Sequence, residues 1–209
     1  MIATGRLPVN RRRSGARHGE AGASVLELTA TAGLALALAA LSVPALAGRR
    51  DALRAAGAAR HLAVLVHATR TEALKRGVHV GLVFQPSGSD VRFAMFADGN
   101  DDGVRAADVA SSTDRQVSPW VRIGDQFPGT AFGILPGVAD PDSGASLSGN
   151  PLKLGGSSVL SFAPDGAATS GTVYLQGHAG QQYAVRLLGA TGRSRLLRFD
   201  FRTRQWVAA

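Results

Sequence analysis

Residues 22–47 read GASVLELTATAGLALALAALSVPALA, and the organisation of the whole chain turns on them. From Leu28 to Ala47 twenty residues pass without a charge. Wound as an α-helix at about 1.5 Å per residue, they cover about 30 Å, the thickness of one hydrocarbon core. Two residues are out of keeping with a plain apolar span. Glu27 puts a carboxylate at its mouth, where a charge is costly unless paired. Pro44 removes a backbone donor and would kink a helix interior.

Upstream, residues 1–22 carry Arg6, Arg11, Arg12, Arg13 and Arg17 against Glu20, which supplies half of the chain's net charge of +8. Positive charge beside a span end is retained in the cytoplasm, so the remainder of the chain is expected outside; Arg49 and Arg50 oppose this weakly. A cleaved secretory signal shares this layout, with Ala45-Leu46-Ala47 before Gly48 as the small-residue cleavage site. On that reading the product is a secreted, β-rich binding protein. Arg11-Arg12-Arg13-Ser14 offers a twin-arginine signal, but it stands well before Leu28 with Glu20 in between.

Downstream, 209 residues allow one full domain besides an anchor. Between Asp51 and Arg76, Ala55, Ala58, Ala59, Leu62, Leu65, Val66, Thr69 and Ala73 recur at spacings of three and four, the stripe of a helix packed on one side. Arg54, Arg60, His67, Thr71 and Lys75 fall opposite, and Gly77 after Lys75-Arg76 is a helix stop. Val78, Val80, Leu82 and Phe84 then alternate with other residues. Pro86-Ser87-Gly88 punctuates, and Val91, Phe93 and Met95 repeat the pattern, which predicts a β-hairpin. Further strands are predicted at 158–163, 172–176, 183–188 and 195–201, giving an antiparallel sheet against the helix. Residues 98–156 are rich in Gly, Ser, Asp and Pro, with apolar islands only at 120–123 and 131–135, and read as a long loop region.

Asp98-Gly99-Asn100-Asp101-Asp102-Gly103 copies the first half of a calcium loop, with Asp98, Asn100 and Asp102 as alternate oxygen donors and a glycine at the sharp turn. The twelfth position is Val109 rather than a carboxylate, so a bound calcium ion and a plain acidic turn both fit the pattern. Arg193, Arg195, Arg198, Arg202 and Arg204 could form a basic strip for nucleic acid; a solvated strand face is the plainer reading. The chain has no cysteine, hence no disulfide, thiolate metal site or thiol nucleophile. It also lacks a G-x-S-x-G elbow, an H-E-x-x-H pair and a phosphate-binding glycine loop, and its five histidines are scattered, so no enzymatic constellation or cofactor site is expected.

Residues 22–28, Gly-Ala-Ser-Val-Leu-Glu-Leu, resemble the type IV prepilin cleavage motif, in which a peptidase cuts after glycine and a glutamate stands fifth in the mature chain. Counted from Ala23, Glu27 is fifth and Pro44 occupies the place where pilin-like helices commonly carry proline. Ala68-Thr69-Arg70-Thr71-Glu72-Ala73-Leu74-Lys75-Arg76-Gly77 resembles the helix ending of the GspH/FimT family, with Thr69 inserted. Ser161-Phe162-Ala163-Pro164-Asp165-Gly166 resembles that family's F-x-P-D-G turn, and Gly192-Arg193 before a closing strand adds to the likeness.

The resemblance implies a pilin-like α+β fold: a long N-terminal helix, transmembrane in its first half, packed on an antiparallel β-sheet head. It divides the chain into a basic prepilin leader at 1–22, a transmembrane helix at 23–48, a periplasmic continuation at 49–77 and a β-rich head at 78–209. It implies cleavage between Gly22 and Ala23, N-methylation of Ala23, and assembly roles for Glu27 and Pro44. The implied partners are prepilin peptidase, an inner-membrane assembly platform, the membrane in a single pass with the head in the periplasm, and other pseudopilins or pilins. Two functions carry these features: a minor pseudopilin of type II secretion, and a FimT-type minor pilin that could bind DNA through the tail arginines.

Overall fold

The computed structural model describes residues 24–88 and 90–209, without the side chains of residues 41–47. The leader, with Gly22 and Ala23, lies outside the described residues. The chain divides into two units, residues 1–43 and 44–209, each taken by itself below.

In the first unit the chain is helical from the start of α1 (Val25–Arg76). Ser24 caps it: its hydroxyl accepts the Leu26 N–H at 3.3 Å and its carbonyl accepts the Leu28 N–H at 3.0 Å. Glu27 stands at the capping-box spacing from Ser24, with its charge at the positive end of the helix. Thr29 and Thr31 donate their hydroxyls to the carbonyls of Leu26 and Glu27, both at 2.9 Å, so these two polar side chains are bonded within the helix. Leu28, Leu34, Leu36 and Leu38 are exposed. Among the described residues no helix is long and apolar enough to cross a membrane; the Leu28–Ala47 stretch runs into the undescribed side chains at 41–47.

In the second unit α1 buries Ala55, Ala58, Ala59, Leu62, Val66, Thr69 and Ala73. Thr69, the one polar member, donates its hydroxyl to the Leu65 carbonyl at 2.8 Å, so its burial leaves no bond unmade. Alanine suits this stripe because the sheets come close: a Cβ at Gly177 would stand 2.7 Å from that of Ala55. Arg54, Arg60, His67, Thr71 and Lys75 are exposed, as the periodicity predicts. The helix stops where Gly77 turns to φ +67° and its N–H bonds the Ala73 carbonyl at 3.0 Å.

The strands β1 (Val80–Ser87) and β2 (Asp90–Ala97) form the expected hairpin, with Ser87 opposite Asp90. Then come α2 (Ala106–Ala110), β3 (Arg115–Gln116), β4 (Val121–Arg122), α3 (Ile123–Gln126), β5 (Thr130–Phe132) and β6 (Leu152–Lys153). The tail supplies β7 (Val159–Phe162), β8 (Gly171–Gly177), β9 (Gln182–Leu188), β10 (Arg193–Asp200) and β11 (Gln205–Ala208). The α+β class holds, but the antiparallel strands divide into two sheets. The first runs β3-β2-β1-β7 with β4 also on β2; the second runs β11-β10-β9-β8-β5 with β6 also on β8. Both close on the helix stripe. Leu82, Phe84, Phe93, Leu160 and Phe162 of the first meet Val173, Leu175, Val185 and Leu187 of the second in one core. Each such side chain contributes about 1.5–3 kcal/mol when fully buried.

Residues 98–156 are less a loop than two covers. Val104, Val109 and Trp120 lie over Val83, Ala94, Phe96 and Val159 on the outer face of the first sheet. That cover explains why β1 is buried at five consecutive positions, Val80 to Phe84, instead of at every second one. On the second sheet, Trp206 donates its indole N–H to the Ala139 carbonyl at 2.7 Å, and Arg186 pairs with Asp142.

Candidate functional site

The sequence-expected assembly residues lie on α1. Glu27 is exposed in the first turn, where no cation among the described residues pairs with it. Pro44 opens the second unit within the helical run, and its side chain belongs to the undescribed set.

The three motif patches of the head meet around Arg70, which lies 122 positions before Gly192 in sequence. From the last turns of α1 its guanidinium reaches the Pro164-Asp165-Gly166 turn and Gly192. A Cβ at Gly166, where φ is +86°, would stand 3.1 Å from Arg70 Nη2. A Cβ at Gly192, where φ is +58°, would stand 2.2 Å from the Gly166 carbonyl oxygen and 3.2 Å from Arg70 Nε. One helical turn earlier, His67 Nε2 and the Ser194 hydroxyl share a hydrogen bond of 3.0 Å, tying α1 to β10. On the other side of the helix end, Glu72 accepts from Arg76 at 2.8 Å and lies 3.7 Å from Lys75. The Arg76 hydrogen bond holds its carboxyl below the ordinary glutamate value. This junction is packing about Arg70, whose Nε is buried without a hydrogen-bond partner, with pairing at Glu72 and at His67.

The calcium-like stretch is a turn closed by its own backbone. Asp98 is nearly buried; Oδ1 accepts the N–H groups of Asn100 and Asp101, both at 3.0 Å, and Oδ2 accepts that of Gly103 at 2.7 Å. Asp102 pairs with Arg105 at 2.7 Å. Among the described residues no three His, Asp or Glu side chains are grouped to hold a metal. The acidic-turn reading accounts for every one of these contacts without an ion. Gly99 also has a packing reason, since a Cβ there would stand 2.0 Å from the Thr113 carbonyl oxygen.

The five tail arginines do not share a face. Arg193 and Arg195 fall on one side of β10, where Arg195 borders a groove with Asp142, Arg186 and Trp206. Arg198 falls on the other, beside Ala56 and Arg60 of α1. Arg202 and Arg204 sit in the turn between β10 and β11.

One feature has no counterpart among the sequence expectations. On the outer face of the first sheet a cavity of 390 Å³ opens between β2, β3 and the loop after α2. Arg92 lies over the Trp120 ring, 4.6 Å from its centroid, and donates Nη2–H to Gln85 Oε1 at 3.0 Å. An arginine within an otherwise apolar strand, Val91 to Ala97, was the available signal.

Residues 58–192 match the family model described as type II transport protein GspH. The match takes in the Arg70 junction whole, from the helix ending through the Pro164-Asp165-Gly166 turn to Gly192. No curated protein and no solved structure matches the chain.

Proposed function

Because the chain belongs to the GspH family of type II transport proteins, we propose that it is a minor pseudopilin, cleaved and methylated at its N-terminus and assembled into a periplasmic pseudopilus. Family membership gives a pseudopilin role in type II secretion, a place in the envelope of the secretion system, and a structural rather than enzymatic character. The finer reading rests on one observation above the rest. A prepilin-like motif, Gly22 to Leu28, stands at the head of the Leu28–Ala47 run in the same chain whose residues 58–192 match the family.

On this reading the leader 1–22 stays in the cytoplasm, and residues 23–48 cross the inner membrane once, holding the head in the periplasm. Prepilin peptidase cuts between Gly22 and Ala23, and the new amine of Ala23 is methylated. In the fibre, the Glu27 carboxylate pairs with the terminal amine of a neighbouring subunit. Two charges that are each costly in an apolar bundle offset one another there. Pro44 shapes the helix where it passes from membrane to periplasm. The inner-membrane assembly platform and the other pseudopilins are the partners.

The deciding experiment is intact mass and N-terminal sequencing of the protein recovered from membranes of cells that contain the peptidase. A chain beginning at methylated Ala23 is the expected product. A chain beginning at Gly48 would mean conventional export and removal of the anchor.

A further inference from the structure

We propose that the cavity between Arg92, Arg115 and Trp120 is a receptor for an acidic side chain of a partner protein. That the occupant is a protein segment rests on the pseudopilin reading; that it carries a carboxylate rests on the cavity alone.

The charge balance around the cavity is the starting point. Arg92 and Arg115 line it, and neither has a carboxylate partner among the described residues. Three acids of this region are committed. Asp114, 2% exposed, gives Oδ1 to the Gly99 N–H at 3.2 Å and Oδ2 to the Arg105 N–H at 3.1 Å. Asp125 pairs with Arg122 at 3.2 Å, and Asp102 with Arg105. Two guanidinium groups therefore face an open cavity with no carboxylate among the described residues at ion-pair distance from either, the Asp114 carboxyl of its lining being taken up by backbone N–H groups.

Arg92 is also pre-oriented. Strand register sets Gln85, Arg92 and Arg122 in a row across β1, β2 and β4. Gln85 holds one end of the guanidinium and Trp120 supports its plane, while Nε is buried with no partner. An arginine held this way loses little rotamer freedom when it binds, and its planar fork suits a carboxylate. Phe96, Val109 and Trp120 add an apolar wall for the stem of the acidic side chain and its neighbour. The buried charge of Asp114 disfavours a dianion, so a monovalent carboxylate fits better than phosphate. The cavity opens at β3, the edge strand of its sheet, where an extended partner segment has access.

The two tryptophans make the test direct. Trp120 borders the cavity, and Trp206 is hydrogen-bonded on the second sheet, so a full-length chain labelled with 5-fluorotryptophan in detergent micelles gives a reporter and an internal control. The probe is acetyl-leucyl-glutamyl-leucine amide. It should shift the Trp120 fluorine signal saturably and leave that of Trp206 in place. The glutaminyl counterpart, lacking the charge, should bind about tenfold more weakly. Arg92→Gln should abolish the shift and Arg115→Gln weaken it several-fold, with the Trp206 signal confirming that each variant is folded.

Equal response to the glutaminyl peptide, movement of both signals together, no shift, or full binding by Arg92→Gln would each overturn the proposal. Glutarate or inorganic phosphate matching the acidic peptide would overturn the protein occupant and leave a small-anion site. The pseudopilin reading fails separately, by the mature N-terminus, so the two failures are distinguishable.

Discussion

Gly192 has two separate reasons to be glycine, and they can be measured apart. Its φ of +58° disfavours a side chain, and its Cβ would strike the Gly166 carbonyl oxygen at 2.2 Å. Gly103, at φ +86°, faces open space. Gly103→Ala should therefore cost about 1 kcal/mol from backbone strain alone, and Gly192→Ala about 2–4 kcal/mol, read from urea unfolding. Equal costs would mean that the turn yields. Family likeness singled out Gly192-Arg193, but the backbone approach behind it joins residues far apart in sequence, so no local pattern carries it. Asp98 was legible as a turn former and ambiguous as an ion ligand for a similar reason: a calcium loop and an Asx turn want the same short oxygen side chain. Burial pushes the Asp98 carboxyl up, but the N–H groups of Asn100, Gly103 and Asp101, with the charge of His79, outweigh it and hold the group below its ordinary value. A lowered carboxyl stabilises the fold above the unfolded value of about 3.9, and that stabilisation is lost as pH falls through the folded value. The stability gap between wild type and Asp98→Asn should thus be widest near neutrality and close below about pH 4. Millimolar calcium should leave the wild-type Tm unchanged. A rise that Asp98→Asn abolishes would assign an ion.

The elements that could be read were those whose pattern is local. The hairpin and the four tail strands lie within a few residues of the expected ranges because alternation and turn residues mark them. The two-residue strands β3, β4 and β6 are too short to alternate, and β11 is a four-residue strand at the end of the chain. Their pairing is set by what they cover. The division into two sheets was equally silent, since β7 pairs with β1 across most of the head while β8 to β11 pair in chain order and β8 also takes β5 and β6. One buried polar residue fastens the second cover. Gln182, fully buried in β9, accepts the Leu135 N–H at 2.8 Å and donates to the carbonyls of Gly133 at 3.1 Å and Leu175 at 3.0 Å. Gln182→Leu keeps the bulk but orphans these groups, at about 2–4 kcal/mol. The Leu135 amide should then exchange with solvent at a rate set by local opening of the cover, well ahead of the β8–β9 ladder. Unchanged exchange at Leu135 would show that the cover is held by Trp206 and Arg186 instead.

At the scale of the whole molecule, the sequence showed a charged leader, an apolar run and a β-rich head in that order, and the α+β class followed from it. The head's family rests on the match over residues 58–192, within which Arg70, Gly166 and Gly192 meet in space. On the proposed reading Glu27 acts at this scale. Its local contribution is small: it is exposed, and a carboxylate in the first helical turn adds only about 0.3–1 kcal/mol beside the Ser24 cap. On the proposed reading, removing it should neither unfold the chain nor blunt cleavage, because there the peptidase is directed by Gly22. In the proposed fibre the same carboxylate would meet a neighbour's terminal amine in apolar surroundings, where losing one partner leaves an uncompensated charge worth several kcal/mol. Glu27→Ala is thus expected to yield processed, folded protein in the membrane at wild-type levels. Little of it should cross-link to other pseudopilins or appear in sheared pseudopilus fractions. Normal incorporation of that variant would remove the pairing argument while leaving the cleavage site standing, and loss of processing would show that the carboxylate serves the peptidase instead.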